Sequence, residues 1–530
     1  MQFTLFVISI PAATLLVGAS ISCSFAFFVY ALNTLHLTRR AKKYKEPSAG
    51  GLSERPPVAI HLPVYNELYV VGRLLEACTR VALKYGKELV KIYVADDSSD
   101  ETAEKIDRFV ADFEREGFNF KVIRRGTREG FKAGALEVAL KETAEPFFVV
   151  FDADFVPPED FLDRTIPYMV RSDVGFVQCR WGHLDRNYNM ITESLAIGVD
   201  AHFLIEQPGR NGSGYLMNFN GSAGLIRTEA VIKAGGWDDD TLAEDLDLSY
   251  RMQLVGYNGV YLNEVEVPGE LPPTITGLKR QQGRWARGSI QTAKKLLGRI
   301  RESKELSLGQ KLEAGIHLTY YMVHPLMVAS FLLAVATTFL NVDVIRYAVN
   351  ISVPSLSEKG PLPGFIGANL AFVTVQIAPW LVFSLLVVLS TLAVLYYCIE
   401  ALRVEKLGLI ENAKQIILLV ILGYGISISN SVQVLSGLFS KKTGTFLRTP
   451  KYAITRKGEA WRGKRYQLPL NMTNLFEAGG VGLGIVAVLR AVTTGNIGIV
   501  PILAIYVAGY LLVFSLTIQQ TLRASGRADL

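Results

Sequence analysis

The chain has 530 residues, half of them hydrophobic, and 55 Lys and Arg against 49 Asp and Glu give a net charge of +6. Such a length holds two or three domains, and the positive mean hydropathy with long apolar runs places the chain among membrane proteins rather than wholly soluble ones. The basic residues sit beside apolar runs, where anionic lipid and topology explain them, so a nucleic-acid partner is disfavoured. Cys23, Cys78, Cys179 and Cys398 form no Cys-x-x-Cys pair, which argues against a zinc site or a disulfide framework.

Phe3 to Leu35 is an apolar run followed by Arg39-Arg40-Ala41-Lys42-Lys43. It is too long for a signal-peptide core and lacks an Ala-x-Ala cleavage site, so residues 1–38 are expected to be a retained anchor. The basic flank places the next domain in the cytoplasm. Residues 39–56, rich in Pro, Gly and Ser towards their end, are expected to be a linker.

From residue 57 to 310 the pattern changes to short β-prone runs, Val58–Leu62, Lys91–Ala95, Lys121–Arg124 and Phe147–Phe151, separated by helical stretches. This alternation predicts a Rossmann-like, mostly parallel sheet covered by helices. No Gly-x-Gly-x-x-Gly follows the first strand, which disfavours a dinucleotide site. Asp96-Asp97 and Asp152-Ala153-Asp154 each come directly after a strand, where open α/β sheets bind ligands.

Beyond residue 310, Ile316–Leu340 and Pro379–Cys398 are each long enough to cross a bilayer, and Leu475–Leu489 with its flanks and Ile497–Leu516 form a second pair. Between them, Ile416–Phe439 carries Gly423-Tyr424-Gly425 and four polar residues, Ser427, Ser429, Asn430 and Ser431. Were it to cross, the basic stretch from Lys441 to Arg465 would face outwards, against the positive-inside bias. It is therefore read as interfacial or re-entrant. The expectation is transmembrane helices over 311–400 and 473–520, this helix and a basic loop over 401–472, a tail over 521–530, and about five spans in all.

The polar motifs carry the chemistry. Asp152 and Asp154 can share a hard divalent cation, Mg or Mn, that neutralises a leaving diphosphate; Asp-x-Asp alone is common in solvated loops, and its place after a buried strand favours the metal. Asp97 suits hydrogen bonds from a base or ribose, although helix capping also uses such residues. Lys132, in Gly130-Phe131-Lys132-Ala133-Gly134, opens a helix and can meet phosphate or be a surface lysine. Glu244-Asp245 begins another helix, where a carboxylate can serve as general base or as a cap; Asp247 reads as solvent-facing. Gln281, Arg284 and Trp285 bring a guanidinium fork and an aromatic face within about one helical turn, suited to a diphosphate and a pyranose ring. Phe219, Asn220 and Gly221 lie in a small, flexible turn that suits close approach of a ligand and equally an ordinary tight turn. The basic stretch Thr445–Lys451, Thr449 included, suits a lid in which Arg448 or Lys451 meets phosphate, although positive-inside topology alone also explains its charge. His317 and His324 read as packed polar residues, and no paired intramembrane charges are evident.

In this order, Asp96-Asp97, Asp152-x-Asp154, Glu244-Asp245 and Gln281-x-x-Arg284-Trp285 resemble the processive members of glycosyltransferase family 2, the cellulose-synthase-like mannan and glucan synthases above all. Phe131–Gly134, Phe151–Phe155, Val177–Trp181 and Phe219–Gly224 support the likeness, which covers residues 57 to 300 well and the rest only in layout. The resemblance implies a cytoplasmic α/β domain of GT-A type, an α-helical transmembrane domain, and an inverting single displacement. It assigns Asp97, Lys132, Asp152, Gln281 and Arg284 to the nucleotide-sugar and Asp152 and Asp154 to the metal. Asp245 becomes the catalytic base. Trp285, with Phe219, Asn220, Gly221 and Glu244, falls on the acceptor side, and Arg448, Thr449 and Lys451 fall in a gating loop. The family's usual Thr-Glu-Asp reads Ala243-Glu244-Asp245 here. The implied partners are GDP-mannose or UDP-glucose, a growing β-1,4-mannan or glucan that is also translocated, the bilayer, and accessory or identical subunits. A glycosyltransferase that adds sugar to a membrane lipid is the alternative; a catalytically silent glycan-export subunit is a reading of another class.

Overall fold

The computed structural model describes residues 2–342, 349–356, 370–377, 379–440 and 473–524, with 443–444, 448–456, 458–459, 461 and 464 between the last two. Seven strands form one sheet: β1 (Val58–Val64), β2 (Val90–Asp96), β3 (Asn119–Ile123), β4 (Phe147–Val150), β5 (Val174–His183), β6 (Gly224–Arg227) and β7 (Asn258–Gly269), in the order β3-β2-β1-β4-β6-β5-β7. β3, β2, β1 and β4 run parallel, as do β5 and β7; β6 is antiparallel to both β4 and β5. The third strand starts two residues earlier than the alternation suggested and ends one earlier, because Asn119 and Phe120 pair with Lys91 and Ile92.

The central strands are buried on both faces, which is why they read as continuous apolar runs. One face packs on the helices Val71–Tyr85 and Thr102–Arg115 through Leu74, Cys78 and Ile106; the other packs on Phe131–Lys141 through Leu136 and Ala139. This doubly wound arrangement brings the carboxyl ends of β1, β2 and β4 to one edge, directly before the acidic motifs. The segment after the first helix, Gln2–Ala41, has no regular structure but is pinned: the Tyr44 hydroxyl donates to the Tyr261 carbonyl, and the Gly50 N–H donates to the Pro167 carbonyl at 3.1 Å.

Five helical stretches are long and apolar enough to cross a membrane: Ala13–Ala41, Tyr320–Phe339, Val382–Val404, Thr473–Thr493 and Ile497–Arg523. The polar-rich segment forms two helices, Leu409–Gly425 and Ser427–Phe439, bent by 49°, a shape shared by re-entrant and broken spans. An antiparallel pair of strands, Val349–Leu356 with Leu370–Ile377, stands between the second and third stretches.

One 28-residue helix, Ile275–Glu302, joins the two parts. Its Lys279 pairs with Glu477 of the fourth stretch at 2.6 Å, and both side chains are buried. This corrects the expectation that no intramembrane charge is paired: the partner lies in the polar domain, far away in sequence. The histidines are packed as expected, His317 against the Tyr250 hydroxyl at 2.7 Å and His324 against Asn430 at 3.0 Å. Removing one member of a buried ion pair costs about 3–5 kcal/mol, whereas replacing both with apolar groups is often neutral. Glu477→Leu is therefore expected to lower the thermal unfolding midpoint sharply, and Glu477→Leu with Lys279→Met to recover most of the loss; a double variant no better than the single one would show that the pair is not the stabilising unit.

Candidate active site

Each acidic motif is placed by the strand or helix that it ends or begins. Asp96 closes β2, and its buried carboxylate accepts from the Ser98 N–H and from Arg124 Nε, both at 2.9 Å. It is thereby committed to the loop. Asp97 lines the cavity and is gripped by both sides of the Arg125 guanidinium, Nε lying 2.9 Å from Oδ1. Arg125 also donates to the carbonyls of Glu129 and Phe131 at 2.7 and 2.9 Å, which fixes the turn before Lys132. No motif pointed to Arg125.

Gly130 has φ +69° and Phe131 φ +48°, so the helix Phe131–Lys141 starts abruptly and turns Lys132 inwards. The Lys132 ammonium lies 2.6 Å from Asp152 and 3.6 Å from Glu244, and donates to the Gly221 carbonyl at 3.0 Å. Burial alone would lower its pKa, but the carboxylates of Asp152, Glu244 and Asp245 outweigh burial and hold it above the usual lysine value. Gly221, with φ +80°, is required here: a Cβ would stand 2.5 Å from an Asp245 oxygen. Asp245 lies in the first turn of Glu244–Leu254. Burial, and then the neighbouring Glu244, push its carboxyl up to about 7, with Lys132 and Arg284 opposing.

On the other side of the cavity, Asp154 accepts from the Lys451 ammonium at 2.6 Å and from the Glu270 N–H at 3.1 Å. Glu270 is held by Arg73 at 2.6 Å and receives the Tyr452 N–H at 3.1 Å. Arg448 pairs with Glu67 at 2.9 Å; burial raises the Glu67 carboxyl to about 8 despite that cation. Residues 448–452 thus form a strap across the site. Thr445, Phe446 and Leu447 of the expected lid lie outside the described residues.

Thirteen of the fifteen residues singled out above line one cavity: Asp97, Lys132, Asp152, Asp154, Asn220, Glu244, Asp245, Gln281, Arg284, Trp285, Arg448, Thr449 and Lys451. Gly221 lies beneath it and contributes its backbone. Phe219 is a correction: it is fully buried in the core under β6 and touches no ligand space. Asp247 is a second correction. It is fully buried, paired with Arg251 at 2.7 Å and Lys295 at 3.2 Å, because the helix turns it inwards. Motif reading gave no role to Tyr65, Glu67, Arg128 and Glu270, which also line the cavity; Arg128 lies over the Tyr65 ring, 3.2 Å from its centre. Trp181, quoted only as supporting sequence, stacks on Phe203 and lines the cavity as well.

The donor set fits a hard divalent cation. Asp152 and Asp154 present carboxylate oxygens, and an ammonium already stands against each. The described residues also hold an acidic trio elsewhere, Asp238, Asp240 and Asp247, but the Lys295 ammonium sits among its oxygens at 2.7–3.2 Å. The cavity itself measures about 160 Å³, below the roughly 300–1,000 Å³ of typical ligand sites, with the strap inside it.

The family model described as "Glycosyl transferase family 2" matches residues 59–233, and "Glycosyl transferase family group 2" matches 147–399. Residues 59–399 belong to glycosyltransferase family 2. The glycosyltransferase region is similar to a probable glucomannan 4-beta-mannosyltransferase 7 of Oryza sativa subsp. japonica, 33% identical over 324 residues, 59% of this chain and 53% of that one. It is similar also to a glucomannan 4-beta-mannosyltransferase 1 of the same organism, 35% identical over 275 residues, 51% of this chain and 52% of that one. The chain spans about half the length of the curated relatives that it matches. A mannosyltransferase from Pyrobaculum calidifontis, solved with GDP-Man and Mn2+, is similar over 61% of this chain and 87% of its own, at 21% identity and a TM-score of 0.48. The sheet with helices on both faces is the GT-A-like scaffold of this glycosyltransferase region.

A base must be ionised to accept a proton. If Asp245, whose carboxyl lies near 7, is the base that the family resemblance implies, glycosyl transfer is expected to rise with pH through neutrality and to level off above it. Lys132→Met removes the cation that favours the carboxylate and is expected to move that midpoint upwards by about one unit or more. A pH–rate profile checks this, and a variant midpoint at or below the wild-type one would exclude the pairing.

Proposed function

We propose that this chain is a membrane-embedded, inverting glycosyltransferase that draws on a nucleotide-sugar and lengthens a β-linked polysaccharide, a β-1,4-mannan made from GDP-mannose before a glucan made from UDP-glucose. The observation that carries this reading is the single cavity at the carboxyl edge of the sheet. There the acidic motifs meet Arg284 and Trp285 of a helix whose opposite side touches the apolar bundle. The names of the relatives support mannose as the sugar.

In this mechanism Asp97 and the Tyr65–Arg128 pair hold the base and ribose at one end. Gln281 and Arg284 hold the diphosphate, and Trp285 and Trp181 give the sugar chain flat apolar faces. Mg or Mn, bound by Asp152 and Asp154, would supply Lewis-acid charge neutralisation to the departing diphosphate. Asp245 takes the proton of the acceptor hydroxyl as its oxygen attacks the anomeric carbon from the face opposite the leaving group, so configuration inverts. Lys132 keeps Asp245 ionised and keeps Glu244 and Asp152 at the correct separation. Withdrawal of the 448–452 strap makes room for the donor. The apolar helices then take up the product, with the catalytic domain in the cytoplasm.

Two expectations test this. Full-length protein in nanodiscs, given GDP-mannose, UDP-glucose and UDP-N-acetylglucosamine separately with Mn2+, is expected to make long polymer from GDP-mannose. Asp245→Asn should bind donor and make no polymer. A short lipid-soluble product would replace the polymerase reading with lipid glycosylation, and donor binding without turnover by the native chain would favour a silent export subunit. Separately, Lys451→Ala frees Asp154. Donor-free protein should then bind Mn2+ about tenfold more tightly, the worth of one charge-assisted hydrogen bond, as measured by the paramagnetic resonance of free Mn2+. Unchanged Mn2+ affinity would mean that Asp154 does not take the metal.

A further inference from the structure

The helix Leu308–Leu318 has two apolar sides. Ala314 and Leu318 pack inwards with Leu296, Ile300 and Tyr250. Its polar side meets the glycosyltransferase region: Gln310 donates to the Gly214 carbonyl at 2.7 Å, and Glu313 pairs with Arg210 at 2.8 Å. The remaining side carries Leu308 and Leu312, one turn apart and 72% and 60% exposed. Together with Leu297, Ile300, Arg301 and Lys311 they line a groove of about 430 Å³.

The level of this groove follows from contacts with the first apolar helix. The Tyr30 hydroxyl donates to the Thr319 carbonyl at 3.1 Å. His36 meets the Tyr215 hydroxyl at 3.0 Å, and the side of Gly309 faces the Tyr215 ring at 3.8 Å. Leu308–Leu318 therefore lies beside residues 30–36 of that helix, just ahead of Arg39 and Arg40, where a span meets the headgroups. Apolar side chains turned outwards at this depth have acyl chains as neighbours. The charged residues that line the groove, Arg301 and Lys311, are both cations. Arg301 is largely exposed, with Glu302 3.6 Å away, and Lys311 donates to the Arg301 carbonyl at 2.9 Å.

We infer that this groove docks a membrane lipid with an anionic headgroup, its chain lying on Leu308 and Leu312 and its headgroup against Arg301 and Lys311. The inference rests on the membrane reading of the chain. Native mass spectrometry of the full chain with phosphatidylglycerol and phosphatidylcholine tests it. The wild type is expected to retain phosphatidylglycerol preferentially, and Arg301→Gln with Lys311→Gln to bind it roughly twenty-five-fold more weakly, each interfacial cation contributing about fivefold. Equal retention would overturn the proposal. A photoreactive benzoylphenylalanine at Leu312, in nanodiscs holding both lipids, supplies a reading independent of that variant. The same probe at Leu385, exposed on the third apolar stretch, is the control. A lipid adduct at both positions supports the site. An adduct at Leu385 alone, or a protein adduct at Leu312, overturns it, and an adduct at neither overturns the membrane reading with it.

Discussion

Negative charge concentrated at one edge of a buried sheet is the constraint from which the site follows. Seven carboxylates line the cavity, Glu67, Asp97, Asp152, Asp154, Glu244, Asp245 and Glu270, against five cations, Arg128, Lys132, Arg284, Arg448 and Lys451. Carboxylates out of water stay ionised only when cations or N–H groups stand beside them. Hence Asp97 has Arg125, Asp152 has Lys132, and Asp154 has Lys451. Where the compensation is least complete, at Asp245 and Glu67, the proton affinity rises towards neutrality. A carboxyl poised near neutral pH suits the general-base role proposed for Asp245.

This balance also explains why the strap lies where it does. Lys451 and Arg448 are the cations nearest Asp154 and Glu67, and they come from a segment almost 300 residues beyond Asp154. Lys451 therefore occupies the carboxylate that the proposed mechanism assigns to a metal, and in that mechanism a diphosphate arriving with its divalent cation would release it. Exchange of one cation for another costs less than exposing Asp154 uncompensated.

Much of this was legible in the sequence because strands end in recognisable places. β2 and β4 are short apolar runs, and the carboxylates that follow them fall at the ligand-binding edge by topology alone. Asp245 and Lys132 were legible as helix starts. The partners were not. Arg125, Glu67 and Glu270 carry no spacing signature, because each meets its partner across the fold. Phe219 misled because its neighbours Asn220 and Gly221 do approach the site, while its own side chain turns under β6. Asp247 looked solvated because nothing local announces that Arg251, one turn on, and Lys295, from another helix, enclose it. The 49° bend after Gly425 fits the Gly-Tyr-Gly and serine-rich sequence there, but the choice between an interfacial and a spanning course rested on charge bias rather than on local propensity.

The helix Ile275–Glu302 joins the cavity to the apolar helices. Gln281, Arg284 and Trp285 occupy one face at helical spacing, and Gly288 on that face lets Ala243, just before Glu244, come close enough that a Cβ would clash at 2.7 Å. The opposite face carries Lys279 against Glu477, Gly283 against Gln433, and Ala286 and Ile290 against Val434, while Gln282 accepts from Tyr321. A rigid helix cannot shift one face without the other. A tilt of the apolar bundle would therefore be felt by Gln281, Arg284 and Trp285 in the cavity, and a shift of the cavity wall would be felt by the apolar helices.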